Sequence, residues 1–281
     1  MVRIITDSAA DFEPEELQRL NITCIPLTVS FGDEVYQENV NLSKTRFYEL
    51  LLGSEHFPQT AQASPQILME LFENARDCGD EAIYITISSA ISGTYQTACM
   101  IRDEVGCDRC HVLDGKNGTG GQRMLVEYAA RLRDEGKTAA EILAGVESIR
   151  GRITLYACID TLENLHRGGR ISHLAYTLGS IANIKPVISV LKDGSIGIPT
   201  KVMGMKKGMQ YLCQQVEKHP RDENHPFYVM YTNNRAIGET LAEKIRALGI
   251  DVPPERIIPV GAAIGTHVGR DACGFVCVEQ E

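Results

Sequence analysis

Four hydroxyl side chains, Ser88, Ser89, Ser92 and Thr94, fall within seven residues where an apolar run at residues 82–87 gives way to a helical pattern. A helix N-terminus offers free N–H groups and about half a positive charge, and hydroxyls add further donors. The stretch is therefore an anion site in outline, suited to a carboxylate or a phosphate. Plain helix capping by Ser92 and Thr94 is the other reading. Near the end of the chain, Gly265-Thr266-His267-Val268-Gly269 brackets a histidine with glycines, which would let backbone and ring approach a ligand closely. A histidine whose nitrogens are simply satisfied by the protein is the alternative. His166-Arg167-Gly168-Gly169-Arg170-Ile171-Ser172 sets two guanidinium groups on a glycine turn, fit for a carboxylate, a phosphate or an acidic partner, or only for solvent.

Taken as a catalytic set, Ser92 as nucleophile, His267 as base and Asp7 or Asp114 as orienter would make a hydrolase constellation. The G-x-S-x-G elbow that usually presents such a serine is missing, as are the G-x-x-x-x-G-K-[ST] phosphate loop and H-E-x-x-H. Cys107 and Cys110 form a C-x-x-C followed by His111, but a structural zinc site needs four ligands and no second pair lies near. The nine cysteines are an odd number scattered through a chain whose start lacks a signal-peptide pattern, so they are expected to be reduced thiols in a cytoplasmic protein.

The elements that must carry these residues follow from pattern. The 281 residues, 43% hydrophobic and 23% charged, suffice for two ordinary domains with real cores. Lys and Arg number 28 against 37 Asp and Glu, a net charge of −9 that opposes a nucleic-acid footprint. No apolar run approaches the roughly 18 residues of a membrane span. Residues 3–6 read as a buried strand ending at Asp7-Ser8, residues 23–31 as a second strand, and residues 60–63 as a loop. Ser43 and Ser64-Pro65 open helices, and Thr138-x-x-Glu141 is a capping box. Strands near 82–87 and 110–113 alternate with helices, which predicts a parallel sheet covered by helices. Beyond about residue 150 a hairpin turning at Lys192-Asp193-Gly194 signals a mixed sheet. The expectation is an α/β protein of two domains, 1–150 with a parallel sheet and 151–281 with a mixed sheet, and a ligand cleft between them.

Read together in chain order, six stretches resemble the DegV family of bacterial fatty-acid-binding proteins, which includes the lipid-carrying subunit of fatty acid kinase. They are Thr6-Asp7-Ser8, Thr60-Ala61-Gln62-Ala63-Ser64, the run from Ser88 to Tyr95, the run from Leu162 to Ser172, Asn183-Ile184-Lys185-Pro186, and Gly265 to Gly269. The resemblance spans the chain end to end. In the second stretch the family's usual T-S-Q-P-S has lost one hydroxyl and one proline. The resemblance implies one long-chain fatty acid of the palmitate, stearate or oleate type, buried between the domains. Its carboxyl group would be held at Thr60 and Ser92, close to His267. It further implies a non-catalytic carrier, with no cofactor of its own, that presents the carboxyl group to a separate ATP-binding kinase subunit for acyl phosphate formation. Arg170 is then expected at the pocket rim or outside it, facing the partner or its phosphate. A serine-hydrolase-like enzyme and a carrier of a different small lipophilic acid are the alternatives.

Overall fold

Ile4 and Ile5 open the protein's core: successive side chains of a strand point to opposite faces, and both faces here are covered. The computed structural model describes residues 1–173, 176 and 183–281. β1 (Val2–Asp7) lies in a four-stranded parallel sheet of order β2-β1-β6-β7, with β2 (Ile22–Ile25), β6 (Glu81–Thr86) and β7 (Cys110–Asp114). Ile4, Ile83 and Ile85 face α5 (Thr119–Asp134) and α6 (Ala139–Arg150). Ile5, Ala82 and Tyr84 face α3 (Pro65–Cys78) and α4 (Thr94–Val105). Strands covered on both faces read as continuous apolar runs, which is why β6 was legible. Thr138 and Glu141 form the expected capping box on α6.

Pro26 corrects the expectation of one strand over residues 23–31. Proline has no N–H for a ladder, and the chain instead forms β2 and a separate β3 (Thr28–Phe31). β3 is the centre of a three-stranded antiparallel sheet with β4 (Glu34–Gln37) and β5 (Gln59–Ala61). The presumed loop at residues 60–63 is thus corrected in part, because Thr60 pairs with Val29 in this sheet. α2 (Lys44–Gly53) follows β4, with the Ser43 hydroxyl accepting from the Arg46 amide at 3.2 Å and Phe47 buried.

The second half is a mixed six-stranded sheet of order β10-β9-β8-β13-β11-β12. Its strands are β8 (Ile153–Cys158), β9 (Ile184–Val190), β10 (Ile196–Met203), β11 (Tyr228–Tyr231), β12 (Ile257–Pro259) and β13 (Cys273–Val278). β9 and β10 make the expected hairpin, and only β11 and β12 pair in parallel. α8 (Gly204–Lys218) and α9 (Arg235–Arg246) cover its outer face, while α7 (Glu163–Arg167) and α10 (Ala262–Val268) lie near its inner face. Every described strand of the first two sheets precedes residue 115 and every strand of the third follows residue 152. Their cores are nevertheless continuous, since Leu125 and Val126 of α5 share one cluster with Leu155, Met230 and Val276.

The expectation of nine reduced thiols is corrected at one pair. Cys107 and Cys110 are joined as a disulfide, because the turn between α4 and β7 sets their Cα atoms 5.3 Å apart, within bonding range. Among the described residues no helix is long and apolar enough to cross a membrane.

Candidate functional site

Between the parallel and mixed sheets lies a cavity of about 1020 Å3, part of it open to solvent. Its walls come from both halves of the chain: Leu27 and Ile87 from the first, Leu155, Ile188, Val190 and Ile264 from the second. Thr60, Gln62, Ser92, Thr119, Arg170 and His267 are polar members of this otherwise largely apolar lining. All four candidate residues from the sequence therefore border one space.

Each is placed by a local device. In β5, Thr60 is half-buried between the more exposed Gln59 and Ala61, the alternation a strand imposes. Ser92 follows a turn built on Ser88, whose carbonyl accepts from the Ile91 and Ser92 amides at 3.2 and 3.1 Å. The four hydroxyls of this stretch then part company. Ser88 donates to the Gly194 carbonyl at 2.9 Å and Ser89 to Asp114 at 2.5 Å, so both tie the loop down and neither lines the cavity. Thr94 Oγ1 accepts from the Ala63 amide at 3.3 Å and lies 3.0 Å from Ser92 Oγ. With the Thr94 hydrogen on Ser92 Oγ, the Ser92 hydroxyl keeps its own hydrogen for a ligand.

His267 occupies the last turn of α10. Ala263, Ile264, His267 and Val268 line the cavity from one face of this helix, while Gly265 sits on the other, against Phe47 and Tyr48 of α2. The bracketing glycines therefore serve helix packing and termination, and ligand approach is not their role: a Cβ at Gly265 would lie 2.6 Å from the Phe47 ring, and Gly269 takes φ +74° after the helix. His267 Nε2 is 3.0 Å from Thr60 Oγ1. If Nε2 carries the hydrogen, Thr60 accepts it and its own hydroxyl remains free to donate into the cavity. Nδ1 is buried, has no hydrogen-bond partner among the described residues, and leaves no room for a side chain at Gly168. Burial, helped by the Arg170 cation, depresses the His267 pKa to about 4, so the ring is neutral near pH 7.

Arg170 lines the cavity as well, which sets it nearer the site than a residue wholly outside. Its Nε donates to the Ile91 carbonyl at 3.0 Å and its Nη1 to the Gly168 carbonyl. Burial lowers its pKa, and among the described residues no carboxylate balances it. A guanidinium has five donors, so several remain for an anion.

The hydrolase constellation does not assemble. His267 faces Thr60, Ser92 faces Thr94, and the two carboxylates are engaged elsewhere. Asp7 accepts from the Ala9 and Ile87 amides, Gln122 and Tyr84, and Asp114 from Ser89 and the Lys116 amide. Sequence reasoning missed Gln62, Thr119 and Gly168. Gln62 and Gly168 lay inside stretches already singled out, but nothing in residue type marked Gln62 as lining the cavity or Gly168 as packing against the His267 ring.

A model of the DegV family, described as an uncharacterised protein, matches residues 1–280. A DegV domain-containing protein of Caldanaerobacter subterraneus subsp. tengcongensis is 34% identical over 282 residues, covering 99% of each chain. Among solved structures, a fatty-acid-binding DegV family protein of Thermus thermophilus superposes with a TM-score of 0.87 at 26% identity, over 99% of both chains. DegV of Bacillus subtilis, a fatty acid binding protein, gives 0.81 at 26% identity, again over 99% of both.

Proposed function

The chain belongs to the DegV family, and on that premise we propose that it binds one long-chain fatty acid in the cavity between its sheets, with the carboxyl group at Thr60, Ser92 and His267. The observation that carries this reading is the pairing of a largely apolar cavity with two backed hydroxyls, a neutral imidazole and a guanidinium that no carboxylate balances among the described residues. The tail supplies affinity: burying some 15 methylenes at about 0.8 kcal/mol each gives roughly 12 kcal/mol gross, before the costs of ordering and association. The head supplies orientation, since one hydrogen bond to a carboxylate is worth about 1.5–3 kcal/mol. Arg170 contributes charge to the same end without needing to touch the tail.

The finer reading is that of a carrier. The protein holds the acid and presents its carboxyl group to a separate ATP-binding kinase subunit, which forms the acyl phosphate. Arg170 then faces the group being phosphorylated. Because such a partner consumes ATP, the proposal places both proteins in the cytoplasm. Native mass spectrometry of the purified chain before and after denaturation tests the binding step. One fatty acid per chain, or stoichiometric uptake of added palmitate, is expected. No lipid and no uptake would end the proposal.

A further inference from the structure

Two carboxylates, Glu38 and Asp11, are each 1% exposed and line no part of the cavity. Burying a carboxylate is costly unless it is hydrogen-bonded, and both are bonded to the start of α10. Asp11 Oδ1 accepts from the Gly261 amide at 2.8 Å. Glu38 Oε1 accepts from the Ala262 amide, and both Glu38 oxygens lie within 3.4 Å of the Ala263 amide. Three successive N–H groups that a helix leaves unpaired are thus satisfied by side chains from the first half of the chain. Glu38 Oε2 is held in turn by the Ser8 hydroxyl at 2.7 Å, and Asp11 Oδ2 by the Thr119 hydroxyl at 2.5 Å. Gly261 is required for this approach, because a Cβ there would collide with Glu38 Oε1.

α10 has only seven residues, and His267 stands one turn and a half beyond Ala262. A short helix held at its N-cap amide and its first two helical amides transmits that hold to its last turn. We propose that Glu38, with Asp11, is a positioning residue for the head-group site: through α10 it sets where His267 stands relative to Thr60 and to the bound carboxyl group. Glu38 touches no ligand. Its effect therefore appears only for ligands that use His267. The inference rests on the fatty-acid reading above.

Competition binding to the full chain with palmitate and with 1-hexadecanol separates positioning from general structural support. Glu38→Ala should weaken palmitate about tenfold, the scale of one hydrogen bond to a carboxylate, and leave hexadecanol within about twofold by the same scale. Glu38→Gln, which keeps an acceptor for Ala262, should recover most of the loss. Added to His267→Ala, Glu38→Ala should cost nothing further for palmitate. Should Glu38→Ala not fold, Glu38→Asp, which withdraws the carboxylate by one methylene, and Gly261→Ala, which displaces it, should give a smaller loss with the same palmitate selectivity. Equal losses for acid and alcohol, or full additivity with His267→Ala, would overturn the proposal while leaving the fatty-acid reading intact. A wild-type protein with no preference for the acid would remove both.

Discussion

Thr60 Oγ1 and His267 Nε2 lie 3.0 Å apart across 207 residues of chain, so that one hydrogen bond joins a strand of the first half to a helix of the second at the cavity wall. The bond needs a neutral ring if Nε2 is to accept or donate without carrying charge into the lining.

Burial, with Arg170 adding to it, holds the His267 pKa near 4, below the ordinary value of 6.5. Between those values the unfolded chain takes up a proton that the folded chain refuses. This residue's contribution to stability is therefore complete above about pH 6.5 and is lost as pH falls toward 4. In an NMR titration of the lipid-free protein, the His267 ring should not titrate between pH 8 and 5.5, and added palmitate should raise its pKa through the nearby carboxylate. A midpoint near 6.5 in the free protein would contradict the burial argument.

Ser92→Ala and Thr60→Ala each remove one donor while leaving the apolar walls. Each should weaken palmitate by about 1–3 kcal/mol, roughly five- to 150-fold, measured by competition against a fluorescent fatty acid. Unchanged affinity in both variants would place the carboxyl group elsewhere.

Gly168 packs against His267 Nδ1 with no space for a Cβ. Gly168→Ala should therefore push the ring off Thr60 and reproduce most of the palmitate loss of His267→Ala, with thermal stability lowered by only a few degrees. Wild-type affinity in Gly168→Ala would show that ring position does not govern head-group binding.

Division into residues 1–150 and 151–281 remains a proposal supported by strand membership, yet α5 shares a core with both sheets. Leu125→Ala should cost about 2–5 kcal/mol and lower the melting of both halves together, as a single calorimetric transition. Two transitions, with only one moved by the substitution, would mean that the halves unfold independently.

Much of this architecture was legible because local signals agreed with the final fold. The apolar run at β6, the capping box Thr138-Glu141 and the turn at Gly194 each state their structure within a few residues. Ser92 and His267 were legible as residue types at a strand-to-helix junction and between glycines, although the glycine signal meant packing against Phe47 and Tyr48. Thr60 came only through family resemblance, since β5 is three residues long and owes its strand character to pairing with β3, a contact made by residues far away in sequence. Glu38 and Asp11 were illegible for a related reason. A lone carboxylate at either position suggests solvent, and the groups that bury and satisfy both come from the start of α10, more than 220 residues later.

The central claim is most directly tested by a crystal structure of the protein with palmitate. The account predicts one acyl chain between the two sheets, its carboxyl oxygens within hydrogen-bonding distance of Thr60 Oγ1 and Ser92 Oγ, with His267 adjacent. A carboxyl group bound away from these residues, or a cavity that stays empty of palmitate at saturating concentration, would contradict it.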